Sequence, residues 1–306
     1  MPVRFCLLWV LVAYLLGAHM AVGSIAPSQS CPPYPARPVS LSVILLIDKT
    51  YDASPTQSWL SEALDELVSM DGVAIRVGSF SNASGRNGAT LGKLLVRASP
   101  PDEAWLKTQR RLEVARITQC QLAENERLHE ELEQAIKAAL NSEISTATRS
   151  DIAASLAVVA PAFKQMPATR ALLIVVSDGL EHGAEQDFYK NQRPRRLDVP
   201  AELRVFHHRK IVADLSGVQV VWTGLGMSKV QLEWASQGAL IEYWRAVVQS
   251  WGAEPLELAS VPTITPRQAL LSVLARKPHP PTVPSEDSAP RAFTTFKSTL
   301  LWSRRP

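Results

Sequence analysis

Two carboxylates occupy the same kind of place in this chain. Asp48 ends the apolar run Leu41-Ser-Val-Ile-Leu-Leu-Ile, and Asp178 follows Ala171-Leu-Leu-Ile-Val-Val-Ser. In open parallel sheets, strand carboxyl ends deliver side chains into one loop-built crevice. Oxygen-bearing residues gather around both positions. Thr50 and Asp52 follow the first, Ser177 precedes the second, and Ser150 opens an Ala-rich segment between them. A hard divalent cation takes oxygen ligands, and Mg²⁺ keeps several waters beside a few protein groups. Asp48, Thr50, Asp52, Ser150 and Asp178 are therefore candidate ligands of Mg²⁺ or Mn²⁺. The plainer alternative is that they cap helices and shape turns without metal, because Asp and Ser are favoured helix starters.

Other chemistries find less support. His182, His207 and His208 could suggest zinc, but no spacing such as H-E-x-x-H accompanies them, so they are expected to face solvent. A phosphotransferase using Asp48 as nucleophile would want a carboxylate two residues on, where Thr50 stands. No Gly-x-Ser-x-Gly elbow is present, and neither a phosphate-binding glycine loop nor a dinucleotide fingerprint follows the first apolar run. A metal-dependent hydrolase remains as an alternative that would use the same aspartates with a metal-activated water. No general base or oxyanion donor is identifiable beside them, which favours binding over catalysis.

The elements that must position these residues follow from the patterning. The run ending at Asp48 is apolar enough for a strand buried on both faces, as parallel sheets require. Ser58 to Met70 carries helical spacing through Leu60, Leu64, Leu67 and Val68, and Val73 to Phe80 reads as a second strand. Leu91 to Ala98 is expected as a third, shorter one. From Glu103 to Asn141 the chain is rich in Leu, Ala, Glu, Arg and Gln without Gly or Pro, which is helical composition. Ser150 or Asp151 starts an Ala-rich helix to about Gln165. Ala171 to Val176 and Val218 to Leu225 are further strands, Leu180 to Leu215 is polar and irregular, and Val230 to Trp251 is a closing helix. The aromatics Trp234, Tyr243, Trp244 and Trp251 on that helix are expected mostly in the core. Strands alternating with helices predict a doubly wound α/β domain, mostly parallel, with helices on both faces. Beyond Pro255 the pattern weakens to a short helix from Pro266 to Ala275 and a proline-rich tail expected to be partly disordered.

Three short stretches give the order of a known site. They are Ile47-Asp48-Lys49-Thr50 after a strand, Thr148-Arg149-Ser150-Asp151-Ile152 opening a helix, and Val176-Ser177-Asp178-Gly179 after another strand. From about Val39 to Ala253 the chain resembles the von Willebrand factor A domains, whose metal-ion-dependent adhesion site reads Asp-x-Ser-x-Ser in its first loop. The resemblance implies a Rossmann-like fold and a cation that completes its coordination with an acidic group of a protein partner. It carries Asp48, Thr50, Ser150 and Asp178 over as ligands. Asp52 stands where that family has a hydroxyl, and Ser150 where it has threonine. A metal-free interaction scaffold on the same fold is the alternative.

Composition bounds the rest. The chain has 306 residues, 46% hydrophobic and 20% charged, with a formal charge of +3 and no Lys/Arg block, so nucleic acid is an unsuitable partner. Arg4, an apolar run from Phe5 to Ala18 and the small residues Ala21, Gly23 and Ala26 match a cleavable export signal. The run is shorter than a membrane span, so no span is expected after cleavage. The expected organisation is a signal over 1–23, a proline-rich lead-in over 24–38, the main domain over 39–255 and an extension over 256–306. The expected place is the periplasm or outside the cell. Removing the signal leaves Cys31 and Cys120, which either pair or stay as separate thiols, depending on a separation that sequence does not supply.

Overall fold

The computed structural model describes residues 31, 34–35, 37–81, 89–141, 151–166, 168–181, 188–190, 193–194, 197–227 and 234–277. The signal segment, the tail from 278, Ser150 and His182 lie outside them.

Five parallel strands carry the sheet: β1 (Leu41–Asp48), β2 (Val73–Phe80), β5 (Ala171–Val176), β8 (Val218–Thr223) and β9 (Glu254–Ala259). Two short strands, β3 (Ala89–Leu91) and β4 (Leu95–Arg97), add antiparallel to β2, giving the order β3-β2-β1-β5-β8-β9 with β4 also on β2. β6 (Tyr189–Lys190) and β7 (Arg193–Pro194) form a separate two-stranded ribbon. β1 is central and buried at every residue. The register sets Ile47 beside Val176, so the strands end level and Asp48 and Asp178 reach the same edge.

Alternation along the strands divides the core in two. Ile44, Leu46, Leu173, Val175, Val220 and Trp222 face one layer, which holds α4 (Ile152–Lys164), α5 (Val199–Arg209) and α6 (Trp234–Ser250). Val43, Leu45, Ile47, Leu172, Ile174 and Val221 face the other. That second layer holds α1 (Gln57–Ser69), α3 (Arg111–Asn141) and α7 (Pro266–Ala275), while α2 (Glu103–Leu106) precedes α3 as a separate turn. The arrangement is the doubly wound α/β sandwich expected from the alternation of elements.

Several elements differ from the sequence-based expectation. The stretch from Leu91 splits into β3 and β4, and the long helix divides at Thr108 to Arg110. The segment from Leu180 to Leu215 contains α5, started by Asp198, whose side chain accepts from Ala201 N at 3.1 Å, and ended by Lys210 in the left-handed conformation. Its short, polar, histidine-rich sequence hides a helix that needs only Phe206 fully buried. β9 takes the sheet past Pro255, and α7 closes behind it with a full capping box between Thr265 and Gln268. No helix among the described residues is long and apolar enough to cross a membrane. Cys31 and Cys120 form a disulfide with Cα atoms 5.6 Å apart, tying the N-terminal arm to α3.

Candidate functional site

The first loop begins where β1 runs out of partners. Lys49 N bonds Phe80 O at 2.9 Å, and the chain then folds back on Asp48. Asp48 is 1% exposed. Its Oδ1 accepts from Thr50 N at 2.9 Å and Thr50 Oγ1 at 2.7 Å, and its Oδ2 accepts from Ser177 Oγ at 2.8 Å. A carboxylate this deep is tolerated because several donors replace water. Thr50 donates both its backbone N–H and its hydroxyl proton to Asp48.

The third loop is held from several sides. Ser177 Oγ accepts from Gly179 N at 3.1 Å while donating to Asp48, so both of its capacities are in use. Asp178 Oδ1 accepts from Leu180 N at 3.0 Å, and its carbonyl accepts from Gly226 N at 2.8 Å. Trp222 Nε1 donates to Ser177 O and Trp244 Nε1 to Gly179 O, at 3.1 and 2.8 Å. Gly179 sits at φ +72° with the side chains of Leu225 and Trp244 against it, a place no side chain fits. The aromatics of α6 thus do more than fill the core: Trp244 pins a loop carbonyl, Tyr243 and, one residue past the helix, Trp251 are buried as expected, and the side chain of Trp234 lies outside those described.

Electrostatics distinguish the two loops from ordinary turns. Burial, and then the nearby charge of Asp48, push Asp178 up to about 7. Tyr51 lies 7% exposed against Gly224, and burial raises its hydroxyl to about 12, with Asp178 and Asp52 adding to the effect. Two carboxylates at one edge of the sheet, beside a threonine hydroxyl, are oxygen donors of the kind a hard divalent cation takes. Binding such an ion would favour the ionised form of Asp178, against the burial and the Asp48 charge that raise it.

Of the residues nominated from sequence, Asp48, Thr50 and Asp178 come together. Asp52 is exposed, and its carboxylate accepts from Ser54 N at 3.1 Å and from the Ser54 hydroxyl, shaping the turn that leads to α1. Ser150 lies outside the described residues. His207 and His208 are exposed on α5.

Two residues were missed. Ser177 bridges the loops, and only its place next to Asp178 hinted at this. Glu181 is 1% exposed and caps α4 from the third loop, its carboxylate oxygens 3.1 and 3.4 Å from Ala153 N. Burial, and then the Asp151 carboxyl with which it shares a hydrogen bond, raise Glu181 well above the usual range. Burial raises Asp151 as well. No local pattern marks such a cap, because the helix it serves starts 29 residues earlier in the chain.

No family model matches the sequence, and no curated protein matches it. Among solved structures it is similar to the pilus adhesin SpaC from Lactobacillus rhamnosus GG in its open conformation. There the identity is 11%, over 76% of this chain and 29% of that one, with a TM-score of 0.39. It is also similar to the conserved hypothetical protein BatB from Bacteroides thetaiotaomicron, at 11% identity over 77% of this chain and 97% of that one, TM-score 0.35. A third is the SpRpn10 VWA domain, at 9% identity over 77% and 97%, TM-score 0.33. The chain spans less than a third of the length of SpaC. On its own strand order, its antiparallel edge and its flanking helices, the chain is a doubly wound, mostly parallel α/β domain.

Proposed function

We propose that this chain is an exported binding module that grips an acidic group of a protein partner through a divalent cation, Mg²⁺ or Mn²⁺. Asp48, Thr50 and Asp178 would hold the ion at the carboxyl edge of the sheet. The cation would supply an open coordination position for the partner's carboxylate. The observation that carries this reading is the meeting of two strand-end carboxylates at one edge of the sheet: Ile47 pairs with Val176, Ser177 bonds Asp48, and the neighbouring Asp178 is raised to about 7 by burial and then by the charge of Asp48. A site built only as a turn would be expected to avoid two facing carboxylates. Export is supported by the Cys31–Cys120 disulfide, since such bonds persist in oxidising compartments.

A metal-free interaction scaffold is the second reading. It is favoured by Asp48, whose two oxygens already accept three hydrogen bonds within the protein. Thermal melts in EDTA and in millimolar Mg²⁺ or Mn²⁺ separate the two readings. A ligand that binds only the folded state raises its melting temperature by mass action. Under the cation reading, Asp178→Asn removes that rise.

A further inference from the structure

A cavity lies at the end of the sheet opposite Asp48 and Asp178, where β5, β8 and β9 begin. It holds about 380 Å³, and its walls include Thr169, Arg170, Gln219, Glu254, Arg276 and Lys277. Gln219 is the second residue of β8, 5% exposed, and its amide oxygen has no hydrogen-bond partner in the protein. Its register neighbours are Leu172 and Glu254. The same face of β8 continues with Val221, packed in the core, so an apolar residue would suit position 219. A buried amide left unpaired weakens a fold, whereas an apolar group of similar shape does not.

The cavity lining carries three cations and one carboxylate. Arg276 is salt-bridged to Glu254. Arg170 Nε donates to the Arg276 carbonyl at 3.0 Å. That bond covers the carboxyl end of α7, the helix end that would repel an anion. With Glu254 matched by Arg276, Arg170 and Lys277 leave the lining positive. We propose that this cavity binds a small oxyanion that also carries a hydrogen-bond donor, of the hydrogen phosphate or hydroxycarboxylate kind. Arg170 and Lys277 meet its charge, and Gln219 accepts from its donor.

The test is a set of thermal melts in matched ionic strength with phosphate, citrate or sulfate. Sulfate serves as an oxyanion without a proton to donate at neutral pH. Phosphate or citrate raises the melting temperature saturably above the level in sulfate, and whichever does so identifies the kind of ligand. Gln219→Leu raises the melting temperature of the anion-free protein by about 2–4 °C, the shift expected for relief of one unpaired buried group. The same variant loses the preference over sulfate. Lys277→Ala, an exposed change, weakens binding of the preferred anion about fivefold. Equal responses to all three anions overturn the proposal. So does a Gln219→Leu variant that melts lower than wild type, or one that keeps the anion preference.

Discussion

Ser177 Oγ donates to Asp48 Oδ2 at 2.8 Å, joining residues 129 positions apart in the chain. The bond crosses from the loop after β5 to the end of β1 and fixes how the two strand-end loops face each other. Because Ser177 also accepts from Gly179 N, one hydroxyl orients Asp48 and the turn beyond Asp178 together. The two loops are therefore held in a fixed relation, which brings their carboxylates to one edge of the sheet.

Asp48 is a structural residue as well as a candidate ligand. Replacing it by alanine strands Thr50 and Ser177 donors in a buried place, which costs roughly 1–3 kcal/mol. Relief of repulsion with Asp178 offsets little of this, because Asp178 can already escape that repulsion by holding its proton. Asp48→Ala is therefore expected to lower the melting temperature of the metal-free protein, measured in EDTA.

The pH dependence of the metal-free protein follows from Asp178. Its folded value of about 7 lies above the ordinary 3.8, so between those limits the native state holds a proton that the unfolded chain has released. Stability then falls as pH rises through about 4 to 7, by at most about 1.4 kcal/mol per unit, and levels off above. Melts in EDTA at steps from pH 5 to pH 8 should show the decline. Asp178→Asn should flatten its share of it, while the same-signed contribution of buried Glu181 persists in both proteins.

Gly179→Ala is expected to destabilise the third loop by more than 1 kcal/mol, since a Cβ there would stand 2.4 Å from Leu225 Cδ2 at a φ of +72°. The Trp244 bond to the Gly179 carbonyl reports the damage locally. Trp244 fluorescence should change in the folded variant, and an unchanged spectrum with wild-type stability would speak against a pinned loop.

Reducing the Cys31–Cys120 bond, which spans 89 residues, releases chain entropy in the unfolded state worth about 4–5 kcal/mol as an upper value. Denaturant unfolding of Cys120→Ser against the oxidised wild type measures it. Equal midpoints would mean that the arm adds no constraint.

The paired strands β1 and β5 were legible because burial on both faces leaves near-continuous apolar runs, and their terminal aspartates stood out for the same reason. Thr50 was legible through its spacing from Asp48. Three things were hidden. β9 is a half-exposed edge strand containing Pro255, so it shows no apolar run. α5 is short, and its histidines and arginines face solvent. Glu181 caps a helix whose start is distant in sequence, and neither periodicity nor motif registers a contact of that kind. Asp52 keeps the spacing of a ligand, and its carboxylate also accepts from Ser54 N, a bond set by local turn geometry.

The most direct test of the cation reading is calorimetric titration of Mg²⁺ into the oxidised, EDTA-stripped protein at pH 8, where Asp178 is ionised. One ion per chain is expected to bind with an affinity that drops at least tenfold in Asp178→Asn and falls in wild type as the pH approaches 6. No binding heat with either Mg²⁺ or Mn²⁺ at millimolar concentration, together with melting temperatures indifferent to both ions, would contradict it.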